Sequence, residues 1–129
     1  MGKLISVLLV DDESDYTQPM AFWLKSKGYD VFSVTNGQDA ITFIKETPPD
    51  IVFLDINMPI MDGPTTLRKI REFNADIPII IISAYIDDPR AKGITSYGIS
   101  GVFYKGSDFN EGLTLIEAVL RTHKNLKNK

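Results

Sequence analysis

Five short runs rich in valine, isoleucine and leucine, separated by stretches of helical length, constrain the fold of this chain more than any other feature. They are Leu4 to Val10, Asp30 to Val34, Ile51 to Leu54, Ile79 to Ile82 and Val102 to Tyr104. The first, third and fourth are almost continuously apolar instead of alternating, as strands are when helices cover both faces of their sheet. Between the runs, apolar residues recur at near-helical spacing. Tyr16, Met20, Trp23 and Leu24 precede Gly28, a glycine placed for a left-handed C-terminal cap. Ala40, Ile41 and Ile44 follow a cap at Asn36, and Leu67 and Ile70 follow one at Asp62. Phe109, Leu113, Ile116 and Leu120 follow Asp108. The stretch from Asp88 to Ile99 opens well, with Asp88 as cap and Pro89 in the first helical position, but Gly93, Ile94 and Thr95 weaken its interior. Pro19 adds an irregularity to the first helix. Repeated strand-helix alternation requires long right-handed crossovers, so the expected class is α/β, a doubly wound five-stranded parallel sheet. The flavodoxin-like strand order 2-1-3-4-5 would make the first and third strands neighbours.

At 129 residues the chain suits one domain, expected over 1–124, with the lysine-rich end fraying into a basic tail at 125–129. The net charge of -3, from 17 acidic and 14 basic residues, speaks against binding nucleic acid or anionic lipid through this domain. No cysteine is present, which excludes disulfides, thiolate zinc sites and thiol nucleophiles and suits the reducing cytoplasm. The longest apolar runs fall far short of the roughly 18 residues of a membrane span. The start, Met1-Gly2-Lys3-Leu4, does not resemble a signal peptide.

In open α/β sheets the functional crevice lies at the carboxyl ends of the strands. Here the first strand runs into Asp11 and Asp12, the third into Asp55, the fourth into Ser83 and the fifth into Lys105. Singly each has an ordinary explanation: an N-cap pair, a turn-opening aspartate, a serine after an apolar run, a surface lysine. Together they predict an acid pocket, because the strand order brings the three aspartates to one place. Their mutual repulsion needs positive charge, which Lys105 and a hard divalent cation would supply; Mg²⁺ suits carboxylates, a backbone carbonyl and water.

The set resembles the receiver domain of two-component response regulators. The resemblance runs through Val10-Asp11-Asp12-Glu13, Asp55 with Met58-Pro59 and Met61-Asp62-Gly63, Ser83-Ala84, and Lys105, over essentially the whole chain. It implies a phosphorylation switch, not an enzyme, although such a domain assists its own phosphorylation and dephosphorylation. Asp55 would take a phosphoryl group from a histidine kinase or a histidine phosphotransfer protein in a phosphorelay. Asp12 and Asp55 would hold Mg²⁺ directly and Asp11 through water, with the backbone carbonyl of Asn57 completing the protein ligands. Lys105 would pair with the phosphoryl oxygens and the Ser83 hydroxyl would swing toward them. A downstream protein would read the face formed by the fourth helix, fifth strand and fifth helix. Asn57 and Tyr85 flank the acceptor and switch positions, where control of dephosphorylation would lie.

Two positions depart from the family pattern. Gly106 stands where the family usually has proline after a cis bond, and a cis bond before a non-proline residue costs about 2.5–4 kcal/mol. Val102 stands where the family often has an aromatic switch reporter, with Phe103 and Tyr104 displaced toward Lys105. These departures leave a pseudo-receiver that signals without phosphate as the alternative. A haloacid-dehalogenase-like phosphatase fits less well, since Asn57 replaces the second aspartate of the Asp-x-Asp motif that such enzymes resemble.

Overall fold

The computed structural model describes residues 4–127, with side chains described to residue 122. Strands β1 (Ser6–Val10), β2 (Asp30–Val34), β3 (Ile51–Asp55), β4 (Ile79–Ser83) and β5 (Gly101–Tyr104) form one parallel sheet in the order β2-β1-β3-β4-β5. The class and strand order are those expected. β1 is shorter than its apolar run: pairing begins at Ser6 opposite Asp30, leaving Leu4 exposed ahead of it. Helices α1 (Ser14–Ser26), α2 (Gly37–Glu46), α3 (Gly63–Phe73), α4 (Pro89–Gly93) and α5 (Phe109–Lys127) make the crossovers.

Every residue of β3 and β4 is buried, as is all of β1 after Ser6. Successive side chains point to opposite faces, so the continuous apolar runs feed two cores. Leu8, Val10, Val52, Leu54, Ile79 and Ile81 pack under α2 and α3 with Ile44, Leu67 and Ile70. Val7, Leu9, Ile51, Phe53, Ile80 and Ile82 pack under α1 and α5 with Met20, Leu24 and Ile116. The edge strands β2 and β5 are only partly covered.

The caps at Asn36 and Asp62 form as expected, each side chain accepting from the backbone N–H three residues on. Gly28 sits just past α1 with φ +97°, the left-handed position its sequence context predicts. The fourth helix, whose interior Gly93, Ile94 and Thr95 weaken, is a single five-residue piece. It stops at Gly93 and gives way to a 3₁₀ turn, Thr95–Tyr97, which ends at Gly98 with φ +80°. Arg71 of α3 fastens that turn, donating from Nε to the Tyr97 carbonyl at 2.8 Å and from Nη2 to the Gly98 carbonyl at 2.8 Å. α5 extends through Lys127, past the residue-124 boundary expected for the domain; residues 128 and 129 of the expected tail lie outside the described residues. The Lys105–Gly106 peptide is trans.

Candidate functional site

The carboxyl ends of β1, β3, β4 and β5 meet because the sheet carries them there in register. Asp11 follows β1, donates its N–H to the Val34 carbonyl at 3.1 Å, and accepts the Glu13 N–H on Oδ1 at 2.9 Å in the local turn that launches α1. Asp55 closes β3 and accepts the Asn57 N–H on Oδ1 at 3.3 Å. Lys105 follows β5, its backbone N–H bonded to the Ser83 carbonyl at 2.8 Å. Gly63 lets α3 begin against the end of β3. A Cβ there would lie 2.4 Å from the Asp55 carbonyl oxygen and 2.6 Å from the Ile56 Cα.

One carboxylate oxygen from each of Asp11, Asp12 and Asp55 lies within 4.8 Å of the others. The Lys105 ammonium is 2.9 Å from Asp11 Oδ2 and 3.6 Å from Asp55 Oδ2, and it pairs closely with Glu13. It also sits 5.1 Å from the centre of the Tyr16 ring, a cation–π contact. Burial opposes the Lys105 charge, but Glu13, Asp11 and Asp55 together outweigh it, so its pKa lies above the ordinary lysine value. Three carboxylates share that one ammonium, with Asp12 close by, and Asp55 bears the imbalance. Burial first, then the charge of Asp11, push its carboxyl up to about 7, with Lys105 and the Asn57 N–H pulling the other way. The Tyr16 hydroxyl is buried without a partner, and burial raises its pKa well above the usual phenol range.

Beside the acids opens a pocket of about 320 Å³ lined by Asp12, Glu13, Asp55, Asn57, Arg90 and Lys105, with Ala84 and Tyr85 at one side. The predicted residues Asp11, Asp12, Asp55, Asn57 and Lys105 thus gather at one place. Ser83 is brought to the same sheet edge, but its hydroxyl is turned elsewhere. Ser83 Oγ lies 2.9 Å from Asp88 Oδ2 and 3.0 Å from the Tyr85 carbonyl, and it accepts the Tyr85 N–H at 3.1 Å. A hydroxyl has one proton, and the carboxylate is the stronger acceptor.

Three residues outside the predicted set complete the surroundings. Glu13 is the N-cap residue of α1 but makes no side-chain cap bond, its carboxylate going to Lys105 instead. Asp88 was legible only as the cap of α4, which it is, accepting the Arg90 N–H at 3.0 Å. Arg90 grips the same carboxylate through Nε at 3.2 Å and Nη2 at 3.0 Å, and reaches Asn57 Oδ1 from Nη1 at 3.4 Å. Arg90 chiefly holds Asp88 down at about 2. Its only sequence signal was the Asp-Pro-Arg order at a helix start, which also fits an ordinary solvated arginine.

Residues 7–117 match the family model of the response regulator receiver domain. The chain belongs to this family. It is 34% identical over 122 residues to the transcriptional regulatory protein ZraR of Klebsiella oxytoca, covering 94% of this chain and 28% of that protein. It is 33% identical over 116 residues to the transcriptional regulatory protein PrrA of Mycobacterium leprae, covering 89% of this chain and 49% of that one. This receiver domain therefore spans about a quarter to a half of the length of those relatives. Among solved structures, it superposes on a LuxR-family two-component response regulator from Aurantimonas sp. SI85-9A1 with a TM-score of 0.85 at 28% identity, covering 93% of this chain and 87% of that one.

The receiver domain's acid cluster fits a divalent cation on its own evidence. Asp11 Oδ2 is buried and, apart from the Lys105 ion pair, has no donor in hydrogen-bonding geometry. The clustered carboxylates provide an all-oxygen donor set of the kind hard cations take. At the positions where this receiver departs from its family, Val102 is 47% exposed, while Phe103 is buried edge-to-face on Phe53 at 6.1 Å. Tyr104 lies over Gly106 and lines a groove of about 310 Å³ with Tyr85, Ile86 and Val102. No helix among the described residues is long and apolar enough to cross a membrane.

Proposed function

We propose that this receiver domain is a phosphorylation switch with Asp55 as phosphoacceptor, fed by a histidine kinase or a histidine phosphotransfer protein. The observation that carries this reading is the buried Asp55 carboxylate, grouped with those of Asp11 and Asp12 and facing the Lys105 ammonium at 3.6 Å. An Asp55 oxygen attacks phosphorus, the bond to the donor's imidazole nitrogen breaks, and its electron pair stays on that nitrogen. Hydrolysis of the resulting acyl phosphate returns the carboxylate and inorganic phosphate, so the domain is altered in each cycle and acts as a switch, not an enzyme.

Asp11, Asp12, Asp55 and the Asn57 backbone carbonyl would hold Mg²⁺, which when bound offsets the clustered negative charge and that of the transferring phosphoryl oxygens. Lys105 stands where it can pair with a phosphoryl oxygen without leaving Asp11. Charge-assisted bonds from Lys105 and Ser83 to the new phosphoryl group would then draw in the ends of β5 and β4. The surface that changes is the one around α4, β5 and α5, which we propose as the contact for a downstream protein. The named relatives are transcriptional regulatory proteins, and the net charge of -3 here argues against contact with nucleic acid through this domain. The absence of cysteine suits an exchange run in the cytoplasm.

Acetyl phosphate with Mg²⁺ tests the reading. The wild type should take up one phosphoryl group per chain, and Asp55→Asn none. Stable incorporation in Asp55→Asn would overturn the assignment, continuous turnover of a phosphomonoester would indicate a phosphatase, and no uptake at saturating Mg²⁺ a pseudo-receiver.

A further inference from the structure

Asp88 is buried, and its carboxylate has every acceptor position filled. Oδ1 takes the Arg90 N–H at 3.0 Å and Nε at 3.2 Å, while Oδ2 takes Nη2 at 3.0 Å and the Ser83 hydroxyl at 2.9 Å. It thus holds two donors at this edge of the sheet, one of which lines the acid pocket. Ser83 sits at the end of β4, and Arg90 lines the pocket with a side chain 44% exposed whose guanidinium touches Asn57, two residues beyond Asp55. Asn57, Arg90, Asp88 and Ser83 form a continuous chain from the loop after β3 to the end of β4. Nothing in the demands of helix capping requires it, since the Arg90 N–H alone would satisfy the cap.

We propose that Asp88 is a positioning residue that holds the Ser83 hydroxyl and the Arg90 guanidinium in reserve, and that a phosphoryl group on Asp55 competes with Asp88 for both. The proposal rests on Asp55 as phosphoacceptor. Arg90 and the phosphoryl group match in chemistry, since a guanidinium that grips one carboxylate through two nitrogens grips phosphoryl oxygens the same way. Ser83 has one proton to give, so its bond to Asp88 and a bond to the phosphoryl group exclude each other. The unmodified state is therefore stabilised by the clasp, and the modified state forms only against it. Breaking a hydrogen bond to a charged group at a buried site lowers affinity for the competing ligand by about tenfold or more.

The test uses beryllofluoride with Mg²⁺ as the phosphoryl probe and the Tyr85 amide, bonded to Ser83 Oγ, as the reporter in NMR titration. Asp88→Ala should bind the probe about tenfold more tightly than wild type. Asp88→Asn, which keeps one acceptor oxygen for the cap but loses the charge and puts an NH2 that cannot accept where Oδ2 held Ser83, should shift in the same direction by about threefold, and it serves if the alanine variant does not fold. Arg90→Ala should weaken binding, because it removes a donor and leaves Asp88 to hold Ser83 alone. In a Ser83→Ala background the gain from Asp88→Ala should shrink. Without probe or metal, the Tyr85 amide should exchange faster in Asp88→Ala than in wild type.

Parallel shifts in Asp88→Ala and Arg90→Ala, or a gain undiminished by Ser83→Ala, would mean a structural role only and overturn the clasp. A wild type that responds to the probe while both Asp88 variants match it overturns the clasp and leaves the Asp55 reading intact. No response in any protein overturns both.

Discussion

Asp55 is held in an environment that resists its charge, and that resistance can be measured. Burial and Asp11 raise its carboxyl to about 7, above the unfolded value of about 4, so folding favours the protonated form. The stability this contributes is complete below about pH 4 and is lost as pH rises through about 7. In metal-free buffer, Asp55→Asn should equal wild type near pH 4 and exceed it at pH 8 by about 1–2 kcal/mol in urea unfolding, a figure discounted for solvent screening. Parallel pH profiles for the two proteins would refute this. Gly63 makes the opposite kind of demand, since the atoms crowding a Cβ there are backbone and have nowhere to go. Gly63→Ala should cost about 2 kcal/mol or more by the same measurement and should slow phosphorylation, because relief means moving Asp55 itself. Asp11, Asp12, Asp55, Ser83 and Lys105 were legible because each ends an apolar run, and Asn57 only through the family resemblance. Asp88 and Arg90 were not, because a capping aspartate gives no sign in sequence of where its second oxygen points.

The strands were read closely because burial on both faces leaves a continuous apolar signal: β2 matches its predicted span, and β3 and β4 each extend one residue further, into Asp55 and Ser83. Amphipathic α2 and α3 were equally plain, their caps at Asn36 and Asp62 being local chemistry. The segment after β4 resisted reading, since Gly93, Ile94 and Thr95 weaken a helix without saying what replaces it, and here a 3₁₀ turn does. Gly93 is neither crowded nor at positive φ, as a Cβ there would meet no atom within 4 Å. Gly93→Ala should therefore strengthen α4 by up to about 1 kcal/mol, slowing amide exchange across Pro89–Gly93 several-fold while leaving β4 unchanged. Faster exchange in α4 would show that the glycine is needed for packing.

The topology follows from a parallel sheet with both faces covered, and the order β2-β1-β3-β4-β5 puts the charged strand ends side by side. That arrangement would make cation binding a property of the folded molecule, since Asp11 follows β1 and Asp55 ends β3, and the two disperse on unfolding. Mg²⁺ should therefore raise the Tm of the wild type in a concentration-dependent way at pH 8, and Asp11→Asn with Asp12→Asn should abolish the rise. An equal rise in the double variant would locate the cation elsewhere. Arg71 adds a mechanical consequence. The segment from Tyr85 to Gly98 is bolted at its far end to α3 by two 2.8 Å bonds to the Tyr97 and Gly98 carbonyls, while its near end is held by the Asp88 carboxylate. Released from Asp88, the segment would behave as a span tethered at both ends, by buried β4 at Ser83 and by Arg71 at Tyr97 and Gly98, with its travel greatest between them. Ile86, exposed within that span, is where a partner would feel displacement for little binding.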